Sequence, residues 1–237
     1  MSGYIDLHTH LLPGIDDGAE TTQDAQVIVD AAKEAGFTTL ALTPHHMSGV
    51  YESEDEALTE ALAGLEIGEG ATTVFGREYY LDEHFMAMIE QGALHTIGES
   101  NALLVELPMM KIPSFAADCA FRLRLRGYVP LLAHPERYRE VISKPARAEE
   151  LRDKGFLLQV NIGSLVGVYG RKVRKTAETL FKKGLVAVVA SDIHRGKHAG
   201  SIYKDGIEAL TDLVGKKGRE RYLSEHPRRL LASDFDE

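Results

Sequence analysis

Ile5-Asp6-Leu7-His8-Thr9-His10 is an apolar run that turns into a pair of imidazoles, and four later runs end in the same way. They are Leu40-Ala41-Leu42-Thr43-Pro44-His45, Ala102-Leu103-Leu104-Val105-Glu106, Val129-Pro130-Leu131-Leu132-Ala133-His134 and Val186-Ala187-Val188-Val189-Ala190-Ser191-Asp192-Ile193-His194. Each reads as a buried strand that finishes on a nitrogen or oxygen donor. In α/β barrels the reacting groups sit at the C-terminal ends of the strands. Five such endings therefore predict one shared site, and imidazoles gathered with carboxylates suggest a hydrolytic metal centre.

Helical patterns separate these runs, which is the signature of a parallel βα succession. Thr21-Thr22-Gln23-Asp24 has the form of a capping box, Ala25, Ile28, Val29 and Ala32 make an apolar stripe, and Gly36 is placed to end that helix. Further helices are expected at about 54–66, 82–91, 115–126, 145–154 and 171–183, with a helical tail at 206–215 and 220–232. Strands at Thr72–Phe75, leading to Glu78, and at Phe156–Asn161 complete about seven βα units. No repeat and no Pro/Gly/Ser linker divides the chain, so a single α/β barrel domain over residues 1–237 is expected.

The bulk properties narrow the function. Apolar content of 44% and charged content of 27% are those of an ordinary globular protein. A formal net charge of −9 argues against a nucleic-acid partner. Cys119 is the only cysteine, so no internal disulfide framework exists. The N-terminal residues lack the pattern of a signal peptide, and no apolar stretch reaches the roughly 18–20 residues of a membrane span. A cytoplasmic protein without direct membrane insertion is expected. A cysteine-dependent phosphatase is excluded: Cys-x5-Arg is absent, because the position six residues after Cys119 is Leu125.

The donors carry the chemistry together. His8 and His10, two apart on a strand, are expected to project to the same side. Asp192 and His194 repeat that spacing. Pro135 breaks the strand after His134 and should leave its imidazole at the barrel mouth. Glu78 and Glu106 end strands, and Glu106 follows four apolar residues, so its buried carboxylate needs a cation or dense hydrogen bonding. One of the His45-His46 doublet is a metal-ligand candidate. A donor set of nitrogen and oxygen without sulfur suits Mn, Fe or Zn.

Asp6-x-His8-x-His10, Thr43-Pro44-His45, Gly76-x-Glu78, Glu106, Ala133-His134-Pro135-Glu136-Arg137-Tyr138 and Ser191-Asp192-x-His194 resemble the PHP (polymerase and histidinol phosphatase) superfamily. His8-Thr9-His10-Leu11-Leu12-Pro13-Gly14-Ile15-Asp16-Asp17-Gly18, with the His134–Tyr138 segment, is similar to the manganese-dependent protein-tyrosine phosphatases of bacterial capsule and exopolysaccharide operons. The resemblance implies a distorted, TIM-like (β/α)7 barrel of PHP type holding three divalent ions, Mn²⁺ first and Fe or Zn as alternatives. It implies His8, His10, Glu78 and Asp192 around one ion, and Glu78, Glu106 and His134 around a second. Asp17, His45 and His194 would hold the third, with Asp16 as the alternative to Asp17.

The implied reaction is hydrolysis of phosphotyrosine by water activated on the ions. The implied partner is a phosphotyrosyl protein, the C-terminal tail of a membrane-associated tyrosine kinase that controls polysaccharide synthesis. Arg137 is expected to hold phosphoryl oxygens, its alternative being a surface pair with Glu136. The second arginine usual shortly after Asp-x-His is not at its place here: either Arg195 or Lys197 supplies that charge from a shifted position, or the contact is absent. Tyr51, Tyr79, Tyr80, Tyr138 and Tyr169 are either aromatic walls of the mouth or packing residues. A small-molecule phosphatase of histidinol-phosphate type and a non-catalytic kinase-binding adaptor are the rival readings.

Overall fold

The computed structural model describes residues 3–92 and 94–235. Among these residues nine strands appear in chain order: β1 (Tyr4–Thr9), β2 (Phe37–Leu42), β3 (His45–His46), β4 (Thr72–Phe75), β5 (Glu78–Tyr80), β6 (Ala102–Glu106), β7 (Val129–Ala133), β8 (Leu157–Asn161) and β9 (Val186–Ala190). They form two parallel ladders, β1-β2-β4 and β3-β5-β6-β7-β8-β9.

The two ladders make one barrel. Pro44 interrupts the path from β2 to β3, and Gly76-Arg77 interrupts the path from β4 to β5. Across these breaks the Gly76 amide donates to Leu42 O at 2.9 Å and the Glu78 amide to Pro44 O at 3.1 Å. The other seam closes where Thr9 bridges Ile193 and the Asp192 amide donates to His8 O at 2.9 Å. Joining the interrupted pairs leaves seven strand paths, as expected from the sequence.

Strand alternation sorts the core into two layers. Leu103 and Val105 on β6, Leu132 on β7, and Leu158 and Val160 on β8 pack outward in the cluster shared with the helices. Ala102, Leu104, Leu131, Ala133 and Leu157 belong to a separate inner cluster with Leu7 and Val188. Leu230, from helix His226–Leu231, joins the inner cluster and seals the end of the barrel opposite the strand C-termini. The same alternation carries Glu106, Gln159 and Asn161 onto the inner face, above the apolar plug.

Two local expectations are corrected. The first helix is Thr22–Glu34, and Thr21 Oγ accepts from the Asp24 amide at 3.1 Å. Only that half of the capping box forms, because the Asp24 carboxylate accepts instead from the Gly196 amide at 2.9 Å. The tail begins earlier than expected, with a helix Ala199–Glu220 bent at Gly215 and followed by a π turn at Arg221–Glu225. Its first turns hold because Ala199, Tyr203, Gly206 and Leu210 are buried along one face, a signal masked by the glycine at position 200.

Candidate metal centre

Glu78 stands at the middle of the barrel mouth with no exposed surface. Among the described residues neither of its carboxylate oxygens has a well-aligned hydrogen-bond donor. Four imidazole nitrogens surround it instead: His45 Nδ1 at 3.0 Å, His8 Nε2 at 3.1 Å, and His10 Nε2 and His134 Nε2 each at 3.3 Å. Asp192 Oδ1 approaches His8 Nε2 at 3.3 Å and His10 Nε2 at 3.4 Å. Glu106 lies 3.6 Å from His134 Nε2. At the open side Asp17 Oδ1 lies 3.4 Å from His194 Nε2 and 3.5 Å from His45 Nε2.

These donors fall into three overlapping groups that could each hold a metal ion, with donor atoms within 4.8 Å of one another. One group is His8, His10, Glu78 and Asp192, the set expected for the first ion. The second is His45, Glu78 and Glu106, and the third is His10, Asp17, His45 and His194. His134, expected with Glu106, faces the second group from the side. His45 is shared because its two ring nitrogens look in opposite directions, one to Glu78 and one to Asp17. All nine donors named from the sequence are thus brought together.

The backbone has to bend to do this. By alternation His134 would follow the inward Ala133 onto the outer face, but a left-handed φ of 35° turns it in. Asp192 has φ 55°. Such torsions are costly for non-glycine residues and persist where surrounding structure imposes them. The simple i, i+2 reading of Asp192 and His194 is therefore corrected: β9 ends at Ala190, and His194 arrives from a loop to stack on His10 at 3.9 Å. The β1 ladder is irregular between Asp6 and Thr9, and there His8 and His10 converge to 3.0 Å between their Nε2 atoms.

Electrostatics show what the nest lacks. Burial disfavours a charged imidazole, yet Glu78 and Asp192 hold His8 at about 9. Burial and then the Glu78 charge push Glu106 up to about 8. Glu78 and Asp192 lie well below the usual carboxylate range despite burial, because imidazolium charges face them. Oxygen and nitrogen donors without hydrogen-bond partners, at this spacing, fit divalent ions.

Several residues settle questions the sequence left open. Asp16 accepts from His10 Nδ1 at 2.7 Å, from the His45 amide at 2.9 Å and from the Gly18 amide at 2.8 Å. It supports His10 from behind, while Asp17 faces the nest. Gly18 is required there, since a Cβ would lie 2.2 Å from His10 O. His46 turns away, its Nδ1 3.2 Å from Arg77. Gln159 and Asn161, which sequence reasoning missed, are completely buried beside the donors. Two polar residues at i, i+2 within the apolar run Phe156–Asn161 were the available signal.

A cavity of about 720 Å³ opens beside the nest, lined by Asp17, Arg137, Tyr169, Asp192, His194 and Arg195 among others. Arg137 donates to Asp192 Oδ2 at 2.7 Å and lies 4.3 Å over the Tyr169 ring. Its alternative partner, Glu136, is buried and accepts from the Asn161 amide and the Ser164 hydroxyl. Arg195 donates to Gly18 O at 2.8 Å and pairs with Glu20 at 2.9 Å. Lys197 also lines the cavity. The tyrosines divide: Tyr79 and Tyr138 are wholly buried and pack, whereas Tyr169 lines the cavity and Tyr51 stacks 5.4 Å from His45.

A seven-path α/β barrel with imidazoles and carboxylates at its strand ends has the layout of a barrel metallohydrolase. A family model for capsular polysaccharide synthesis proteins, CpsB/CapC, matches residues 4–232, and the chain belongs to that family. Tyrosine-protein phosphatase YwqE of Bacillus subtilis is 34% identical over 218 residues, covering 90% of this chain and 86% of that protein. Tyrosine-protein phosphatase CpsB of Streptococcus pneumoniae is 24% identical over 237 residues, covering 96% and 98%. A crystal structure from work on those two proteins, described as unique metal-dependent tyrosine phosphatases, superposes with a TM-score of 0.88. Its sequence identity is 30%, over 98% of this chain and 95% of that one.

Proposed function

We propose that this chain is a metal-dependent protein-tyrosine phosphatase. The observation that carries the reading is Glu78, a fully buried carboxylate with no well-aligned hydrogen-bond donor among the described residues and with four imidazole nitrogens around it. We assign His8, His10, Glu78 and Asp192 to one divalent ion. Glu78, Glu106 and His134, with His45 close by, are assigned to a second. Asp17, His45 and His194 are assigned to a third. Mn²⁺ is the favoured metal, with Fe or Zn as alternatives. Such ions, when bound, lower the pKa of water and neutralise phosphoryl oxygens.

The chain's own residues do the rest. Arg137 lines the cavity, held in place by Asp192 beneath it and Tyr169 alongside, where a guanidinium binds phosphoryl oxygens bidentately. Arg195, on the far rim with one bond committed to Gly18 O, adds positive charge to the same cavity. The apolar flank of Val168 and Ile202 and the Tyr169 ring offer a surface for the phenyl group of the substrate.

Phosphotyrosine on protein is the substrate class, following the named activities of the relatives, and the tail of a membrane-associated tyrosine kinase is the partner that the family resemblance implies. No helix among the described residues is long and apolar enough to cross a membrane. We place the enzyme in the cytoplasm as a proposal, with action at a membrane coming through the partner. The test compares turnover of a phosphotyrosyl peptide with that of histidinol phosphate, after chelation and after Mn²⁺ return. Chelation is expected to abolish turnover and Mn²⁺ to restore it, with the peptide preferred. Preference for histidinol phosphate would overturn the substrate assignment, and indifference to chelation the metal assignment.

A further inference from the structure

Gln159 and Asn161 project from β8 into the barrel, both with no exposed surface. They form an uninterrupted file between two donors, His8 on β1 and Asp192 just past the end of β9. His8 Nδ1 lies 2.9 Å from Gln159 Oε1, Gln159 Nε2 donates to Asn161 Oδ1 at 2.8 Å, and Asn161 Nδ2 donates to Asp192 Oδ2 at 2.6 Å.

The direction of this file is dictated from one end. An ionised carboxylate accepts hydrogen bonds and cannot donate them. Asp192 therefore requires the NH₂ of Asn161, which leaves the Asn161 oxygen facing Gln159. That oxygen requires the NH₂ of Gln159, which leaves the Gln159 oxygen facing His8. His8 must then carry a proton on Nδ1, so the neutral ring that a metal ion requires has its bare nitrogen, Nε2, toward Glu78 and Asp192 Oδ1. Reversing either amide would set oxygen against oxygen in a site without water contact. Arg137 also donates to Asp192 Oδ2, so both bonds fall on the same oxygen and Oδ1 is the one left for the nest.

We infer that Gln159 and Asn161 are positioning residues, an amide relay through which the charge of Asp192 sets the tautomer and ring orientation of His8. The inference rests on the metal assignment proposed above. Second partners of this kind typically govern metal affinity by about 10–100-fold. His10 achieves the same end differently, with the Asp16 carboxylate directly on its Nδ1. One imidazole of the pair is backed by a charge and the other by a neutral relay.

The experiment measures Mn²⁺ and Zn²⁺ affinity of the full chain by chelator competition, for wild type, Gln159→Met, Asn161→Ala and the double variant, with circular dichroism as the folding control. Each single variant is expected to lose about 10–100-fold in affinity for its tightest ion. The double variant is expected to be little worse than the weaker single, because both break one relay. Gln159→Glu, which keeps an acceptor on His8, is expected to recover part of the loss relative to Gln159→Met. Unchanged affinity in Gln159→Met, or losses that simply add, would overturn the relay. Nitrogen-15 spectra of wild-type Zn²⁺ protein give a test that needs no variant: His8 should be protonated on Nδ1, and a proton on Nε2 would overturn it. A wild type that binds no metal would instead defeat the metal assignment itself.

Discussion

Asp6 and Glu78 are both fully buried carboxylates of the barrel wall, yet they live in opposite environments. Asp6 is satisfied by neutral donors: the Ser191 amide at 2.9 Å, the Tyr203 hydroxyl at 2.9 Å and the His8 amide at 3.3 Å. Burial raises its pKa and those hydrogen bonds only moderate the rise. Glu78 has no such donor, and imidazolium charge drives its pKa well down against burial. One carboxylate is a strut that ties β1, the end of β9 and helix Ala199–Glu220 together. The other is a socket whose partners are cations. A buried charge is thus no sign of function by itself; the informative feature is whether neutral groups already satisfy it.

Substitutions should separate strut from socket. Glu78→Gln is expected to lower phosphopeptide turnover by roughly 10³-fold or more, about 4 kcal/mol of transition-state stabilisation, with the fold retained. Turnover near wild type would erase the distinction. Asp6→Ala leaves the Ser191 amide without its carboxylate partner in the interior and the Tyr203 hydroxyl with only Ser191 Oγ, at 3.2 Å. It should cost about 2–4 kcal/mol in denaturant unfolding, while activity per folded molecule changes little. A loss of activity matching that of Glu78→Gln would make Asp6 part of the socket.

Arg137→Ala should raise KM by about tenfold, in line with about 1.5 kcal/mol for a charge-assisted bond, and reduce kcat less. An unchanged KM would confine Arg137 to bracing Asp192. Cys119 supplies the smallest effect and a useful control. Buried in the outer core and pushed up to about 12 by that burial, its thiol stays protonated at working pH. Alkylation by iodoacetamide should be negligible in the native protein and rapid only after denaturation; fast native labelling would show that this region opens readily.

How the donors could be found in sequence varied with how local their signal was. Glu106 was legible because strand alternation alone places it on the inner face, after Ala102 and Leu104. His134 was legible as a donor but not as a geometry, since its inward aim depends on a left-handed torsion that no periodicity announces. From their positions at strand ends Tyr79 and Tyr138 were either aromatic walls of the mouth or packing residues, and neither turns to the mouth. The Tyr79 hydroxyl instead accepts from the His95 amide, and that of Tyr138 bonds Ala133 O and the Leu107 amide, so both are committed inside the wall. Gln159 and Asn161 escaped notice because amides are not donors to metals by habit, and their meaning appears only opposite His8 and Asp192.

The amino-acid sequence alone determined the βα order, the seven strand paths and the kinds of donor at their ends. Those properties depend on apolar periodicity and on where each run stops, which are written within a few neighbouring residues. Tertiary structure alone decided which aspartate of the Asp16-Asp17 pair faces the nest, which histidine of His45-His46 turns inward, and which nitrogen of His8 is left bare. Each of those choices is made across the barrel, by partners 29 to 151 positions away, through hydrogen bonds that exist only after the ring of strands has closed.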